Sequence, residues 1–154
     1  HLTFPEQRRV FSMIPALKNA EFVRYGVMHK NTYINSPDLL DKNFSLIDNQ
    51  NIYFAGQISG VEGYVESIAS GLVAGVSIVN KLQGKQQIDF STKTIIGALS
   101  KYISSSCGKF FQPMNANFGI LDGLEIHERD KQKKKQMLSQ RSIEHIRQIA
   151  TLLK

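Results

Sequence analysis

The sequence predicts an α/β protein with a helical, basic C-terminal extension, and three observations carry that prediction. A short apolar run, NIYFA (residues 51–55), ends on a glycine turn and passes at once into a small-residue helical pattern. A second stretch, EFVRYGVM (residues 21–28), alternates in the manner of a strand. From about residue 125 the pattern becomes polar and helical, and much of the chain's basic charge gathers there.

Taken in order, residues 10–17 form a short apolar element ended by Pro15 and the turn-like Lys18-Asn19. Residues 21–28 follow as a strand, with Phe22, Tyr25 and Val27 as its apolar or aromatic members. HKNTYINSP (residues 29–37) is polar and β-leaning and closes on the loop signal Ser36-Pro37. Residues 51–55, bounded by Asp48-Asn49-Gln50 and by Gly56, suit a buried strand of a parallel sheet. From Tyr64 a helix begins. Ile68, Leu72, Val76, Val79 and Leu82 mark its apolar face, and Gly84 stops it. Gly71 and Gly75 each cost about 1 kcal/mol relative to alanine inside a helix, so close packing on a sheet or a ligand is expected there. A second helix covers residues 94–103, using Ile95, Leu99, Tyr102 and Ile103, and SSSCG ends it. Residues 109–122 lack a helical period and are expected as an ordered loop. The last helix, about residues 125–153, carries a thin apolar seam at Ile143, Ile146, Ala150 and Leu153.

With 154 residues, 42% hydrophobic and 21% charged, the chain can form one globular domain or a piece of a longer one. No apolar run approaches the roughly 20 residues of a membrane span. The start, HLTFPEQRRV, has no apolar leader core and no initiator Met, and it reads as mid-domain, so a piece of a longer polypeptide is expected. One cysteine, Cys107, excludes an internal disulfide and a multi-cysteine zinc site and suits a reducing, cytoplasmic setting. Beside Ser106 and Gly108 it reads as a small apolar residue rather than a nucleophile. The formal net charge is +6. Eight bases face four acids from Glu125 onward. That end suits either a polyanion such as RNA or a merely solvated helix face. His127 and His145 in this tail are expected to be solvated, and no residues have metal-ligand spacing.

The glycines Gly56-x-x-x-Gly60-x-x-Gly63 do not match the dinucleotide fingerprint G-x-G-x-x-G, which is absent from the chain. Gly84-Lys85 is not a phosphate-binding Walker motif. Spacing alone leaves a tight structural turn and a ligand-facing turn both open.

Three phrases reduce that ambiguity: FAGQISGVEGYVESIASGLVAG (residues 54–75), EQRRVFSMIPALKNAEFVRYGVMHKNTYINSP (residues 6–37) and FQPMNANFGIL (residues 111–121). Together they resemble the C-terminal part of the folate- and FAD-dependent tRNA (uracil-5-)-methyltransferases. The related tRNA uridine carboxymethylaminomethyl-modifying flavoproteins share an FAGQ-type turn, but VEGYVES favours the methyltransferase. A non-catalytic RNA-binding module is the reading from another class.

The resemblance implies a partial Rossmann-like, glutathione-reductase-type FAD domain. Residues 1–45 would return from an insertion or substrate domain, residues 46–90 would end the FAD-binding domain, and residues 91–154 would form the helical extension. It implies a reaction in which NADH or NADPH reduces FAD and 5,10-methylenetetrahydrofolate supplies carbon to C5 of a T-loop uridine. The family's catalytic cysteines lie upstream, so no catalytic residue is expected here. The implied flavin contacts are Gly56, Gln57, Ile58, Ser59, Gly60, Val61, Glu62, Gly63 and Tyr64. The N–H groups of residues 60–64 would face the pyrimidine edge of the ring, and the helix N-terminus would stabilise negative charge on reduced flavin. Glu62 and Glu66 are expected in supporting or solvent-facing roles. His29, Arg24, Tyr25, Asn31 and Tyr33 are the implied folate or substrate contacts. A strand-end histidine with a structural partner is the alternative for His29. Lys131, Lys133, Lys134 and Lys135 are candidate RNA contacts, with Arg8 and Arg9 as further phosphate-reaching bases. Expected partners are tRNA and the N-terminal remainder of the polypeptide, with a homodimer left open and no membrane.

Overall fold

A computed structural model describes residues 2–27, 31–105 and 111–153. The chain divides into two compact units, residues 1–31 and residues 32–154.

In the N-terminal unit, α1 (Phe4–Phe11) opens on Pro5, a residue suited to the first turn because its missing N–H would have had no helical partner. Phe4 stacks on Tyr25 at 5.3 Å, and Phe22 stacks on both Phe11 and Tyr25. The predicted strand at residues 21–28 is not formed over its described part, residues 21–27. The buried Gln7 explains why. Its Nε2 donates to the Gly26 carbonyl at 2.8 Å and its Oε1 accepts the Gly26 N–H at 2.9 Å. One side-chain amide thus satisfies both main-chain groups that a neighbouring strand would have paired.

The C-terminal unit holds α2 (Ser36–Leu39), α3 (Tyr64–Leu82), α4 (Ile95–Ser105) and α5 (Lys131–Thr151), with 3-10 turns at Gly56–Ser59 and Phe118–Ile120. No strand forms among the described residues, which are mostly helical, so the strands of the predicted α/β architecture are not formed within them. Residues 51–55 make one antiparallel bridge, Ser45 to Tyr53. The ladder cannot lengthen because its partner turns away. Phe44 has φ +67, and Asp41 Oδ1 accepts the N–H groups of both Asn43 and Ser45. Phe44 is itself buried, in a core with Leu40, Val61, Val73, Leu99, Ile103 and Phe111.

The bounds of α3 agree with the sequence, and Gly84, at φ +63, follows its C-terminus. Of the five residues expected on its buried face, Val76 is partly buried against the core and the other four face outward. Ser70, Val73, Ala74, Ser77 and Asn80 point inward. Ile68 and Leu82 are 74% and 82% exposed, and Leu72 and Val79 are about half exposed. No neighbour lies within 4 Å of where a Cβ on Gly71 or Gly75 would stand, so the close packing expected there is not made by the described residues. The helix has 19 residues and a mean hydropathy of 1.3 over its most apolar window, so by length and composition it could cross a membrane. It is not an unbroken apolar run, since Glu66, Ser67, Ser70, Ser77, Asn80 and Lys81 interrupt it.

α4 agrees with the second predicted helix. Thr94 caps it, with Oγ1 donating to Phe90 O at 2.6 Å and accepting the Gly97 N–H at 3.0 Å. α5 starts later than predicted, at the Asp130 cap, whose carboxylate accepts from the N–H groups of Gln132 and Lys133. Its packed stripe runs through Leu138, Arg141, Ser142, His145, Ile146 and Ile149. The predicted seam is therefore displaced: Ile143, Ala150 and Leu153 face outward, and His145, expected in solvent, is half-buried. His127 is exposed. Arg141 reaches back to the carbonyls of Asp122 and Gly123 at 2.6 and 2.7 Å, fastening α5 to the preceding loop.

Candidate functional site

The glycine stretch folds as a turn that its own main chain holds. Gly56, Gly60 and Gly63 have φ of +77°, +85° and +98°, a region that residues with a Cβ rarely enter. Gly56 opens the 3-10 turn, Gly60 closes it in a left-handed conformation, and Gly63 stands at the N-cap of α3.

Buried serines lock the turn from below. Ser70 Oγ accepts the Gly56 N–H at 2.7 Å and donates to Ser67 O. Ser59 Oγ donates to Gly56 O, and Ser36 Oγ donates to Ser59 O, each at 2.7 Å. Ile34 N–H reaches Ile58 O at 2.9 Å. The serine bonds are neutral side-chain bonds to main-chain groups, and a group left buried without its partner would cost about 1–3 kcal/mol.

Residues 111–117 form the second wall, so two phrases distant in sequence meet in space. Met114 N–H donates to Gly60 O and Glu62 N–H donates to Met114 O, both at 3.0 Å, in a parallel bridge centred on Val61. Glu66 Oε1 accepts the Ala116 N–H at 3.1 Å. The Phe111 ring lies on Gly60 so closely that a Cβ there would come within 2.4 Å of Cζ. Phe111 in turn meets the edge of Tyr33 at 5.9 Å and Tyr102 at 5.8 Å.

The space beside the turn, among Phe44, Val61, Glu66, Ser70 and Leu99, is only about 10 Å³, room for about one water molecule and none for a cofactor. Any ligand must therefore lie on the turn's open side. There Gln57, Ile58 and Tyr64 are exposed, Gly56, Glu62 and Gly63 are half-buried, and Ser59, Gly60 and Val61 are buried. No side chain caps α3, so the first-turn N–H groups of Tyr64, Val65 and Glu66 stand outside its ladder. The Gly60 and Glu62 N–H groups are already engaged, by Gln57 O and Met114 O.

Of the other predicted contacts, Tyr33 joins this site through Phe111. Arg24 and Asn31 are exposed residues of the N-terminal unit, and Tyr25 is half-buried in its aromatic stack. His29 and Cys107 lie outside the described residues. Lys133 pairs with Glu128 at 3.1 Å, while Lys131, Lys134 and Lys135 are exposed without an ion pair. The Asp130 N–H and then Lys133 hold the Glu128 carboxyl below its ordinary range. Arg8 is exposed, and Arg9 pairs with Glu6 at 2.8 Å. Among the described residues no three His, Cys, Asp or Glu side chains gather as metal ligands.

Sequence reasoning missed Ser36, Ser70 and the Glu66–Ala116 bond. Serines inside an apolar helical pattern were the available signal, but a partner fifty residues away leaves no local trace.

The arrangement belongs to the class of glycine turns that open a long helix with bare main-chain N–H groups. The chain belongs to the glucose inhibited division protein A family, whose model matches residues 1–86. It is 54% identical over 147 residues to the methylenetetrahydrofolate–tRNA-(uracil-5-)-methyltransferase TrmFO of Acetivibrio thermocellus, covering 96% of this chain and 34% of that protein. The enzyme of the same name from Listeria monocytogenes is 51% identical over 97% of this chain and 35% of its own length. That of Streptococcus agalactiae is 52% identical, covering 95% and 33%. These relatives bear out the resemblance drawn from the three phrases. The chain spans about a third of their length and matches their C-terminal part.

Proposed function

We propose that this chain is the C-terminal part of a flavoprotein that methylates C5 of a T-loop uridine in tRNA, with the turn at residues 56–64 as one wall of the FAD site. The observation that carries the reading is the uncapped N-terminus of α3 beside three positive-φ glycines. Where a Cβ on Gly60 or Gly63 would stand, side-chain atoms already lie within 3 Å, so only glycine fits this wall. Bound FAD would supply the redox chemistry, reduced by NADH or NADPH, with 5,10-methylenetetrahydrofolate as carbon donor.

This chain's own part is to bind and orient. With the Gly60 and Glu62 N–H groups engaged, the donors left for the pyrimidine edge are those of Gly63, Tyr64 and Val65, at the positive end of the helix. Gln57 would supply uncharged hydrogen bonding to the ribityl and pyrophosphate region. His29, Arg24, Tyr25, Asn31 and Tyr33 are proposed as folate or substrate contacts. Residues 46–90 would complete the FAD domain, between residues 1–45 and the extension at 91–154. The setting would be cytoplasmic. The N-terminal remainder of a polypeptide as long as the relatives would cover the exposed apolar face of α3, at Val65, Ile68, Leu72 and Val79.

Deleting the full-length gene should remove 5-methyluridine from the T-loop of tRNA. Loss of a carboxymethylaminomethyl uridine in its place would transfer the chain to the related flavoproteins. Lys131, Lys134 and Lys135 are proposed to meet tRNA phosphates. Neutralising all three in the full-length enzyme should weaken binding and flatten its salt dependence by up to about 0.9 per lost contact on a log–log plot. An unchanged slope removes that role.

A further inference from the structure

We propose that Glu66 is a positioning residue, which continues a main-chain ladder with its side chain and so sets residues 114–117 against the glycine turn. Glu66 is the third residue of α3, where a glutamate commonly folds back onto the cap N–H. Here its Oε1 instead accepts the Ala116 N–H, at 3.1 Å and fifty residues away.

The reason lies in the ladder. In a parallel pairing the bonds are evenly spaced, so after Met114 N–H to Gly60 O and Glu62 N–H to Met114 O the next donor is Ala116 N–H. Its ordinary acceptor would be the carbonyl of residue 62. The chain leaves the ladder at Gly63, with φ +98, and enters α3. The Glu66 carboxylate accepts the bond in that carbonyl's place.

Gly63 makes room for this. A Cβ there would stand 2.1 Å from Glu66 Oε2 and 2.6 Å from Cδ, so the carboxylate lies directly over the glycine. One residue therefore explains two features, the Cβ-free N-cap and the course of the 114–117 segment. Asn117 extends the order by accepting the Gly119 N–H at 2.9 Å and capping the next 3-10 turn. The functional part of this inference rests on the flavin reading above: the segment that Glu66 holds borders the open N–H groups of α3.

The test uses the full-length protein with Glu66→Ala, Glu66→Gln and Glu66→Asp. Three measurements are made: amide exchange over residues 112–117, FAD content, and the visible circular dichroism of bound flavin. Glu66→Ala should raise exchange at Ala116 about tenfold or more, loosen FAD by about tenfold and alter the flavin dichroism. Glu66→Gln keeps the acceptor oxygen and should restore all three. Glu66→Asp keeps the charge but withdraws it by one methylene, so it should behave like Glu66→Ala, and it decides the matter if the alanine variant does not fold. Wild-type exchange at Ala116 in Glu66→Ala or Glu66→Asp overturns the proposal. A glutamine variant as impaired as alanine also overturns it, because charge rather than the bond would then matter. A wild-type protein that purifies without flavin overturns the flavin reading instead, and the exchange comparison still decides the clamp.

Discussion

Two groups of glycines lie within twenty residues of each other, and they are present for different reasons. Gly56, Gly60 and Gly63 all have positive φ, and Gly60 and Gly63 are pressed by Phe111 and Glu66. Gly71 and Gly75 sit in ordinary helix with nothing within 4 Å of a would-be Cβ. The first group is explained by this chain. The second costs helical stability with no return among the described residues, and it lies beside exposed Leu72 and Val79 along an open groove of about 590 Å³ that also touches Leu152. The turn is thus packed by the described residues, while the outer face of α3 is open among them.

The largest effect should come from a helical glycine that does have a neighbour. Gly97 lies under the main chain of residues 90–91, with Ser91 O 2.1 Å from its would-be Cβ. A backbone atom cannot swing aside as a side chain can. Gly97→Ala should lower stability by about 3 kcal/mol or more in a denaturant titration, the upper range for overpacking. A neutral result would mean that the crossing over α4 is looser than described.

Next comes Gly60→Ala. It adds left-handed strain of about 1–2 kcal/mol to a clash with a ring already wedged between Tyr33 and Tyr102. A loss of about 3 kcal/mol, accompanied by release of FAD from the full-length enzyme, is expected. Retention of full flavin content would remove this turn from the cofactor site.

Gly71→Ala and Gly75→Ala test the other side of the comparison through the sign of their effect. In the 154-residue chain each should raise helix stability by about 1 kcal/mol, as for any open helical glycine. In the full-length protein each should lower it, because the remaining polypeptide would press on the notch. A gain in both settings would show that nothing covers this face.

The same contrast explains which parts of the structure could be read in the sequence. The turn and the bounds of α3 are local features, written in Gly56, Gly60, Gly63 and Gly84, and they are where the sequence places them. A strand is not local. Residues 51–55 have a strand's composition, but Phe44 and Asp41 end their pairing after one bridge. Which face of α3 is inside was misjudged because hydrophobicity reports what a helix covers in its final setting. The inward Ser70 is tolerated because its hydroxyl is bonded, accepting from Gly56 and donating to Ser67. The site's second wall was legible only as a phrase, since no periodicity relates residue 66 to residue 116.

The smallest expected effect concerns the crossing over Gly97. Asp89 Oδ1 accepts the Ser91 N–H at 2.9 Å, supporting a residue with φ +57, while Oδ2 accepts from Lys42 Nζ at 2.9 Å. The Lys42 bond first, and the Ser91 bond second, hold the Asp89 carboxyl below its ordinary range. Lowered in the folded state, it contributes stability that is complete above the unfolded carboxylate range and is lost as pH falls through the folded value. The pair is largely exposed, so solvent screening limits the contribution to a few tenths of a kcal/mol. Asp89→Asn should therefore lower stability slightly near neutrality and converge with wild type in acid. Urea midpoints at about pH 6 and about pH 3 give the difference, which isolates Asp89 from the other carboxylates titrating in that range. A gap that widens in acid would reverse the sign and show that the protonated form supports the crossing better than the carboxylate does.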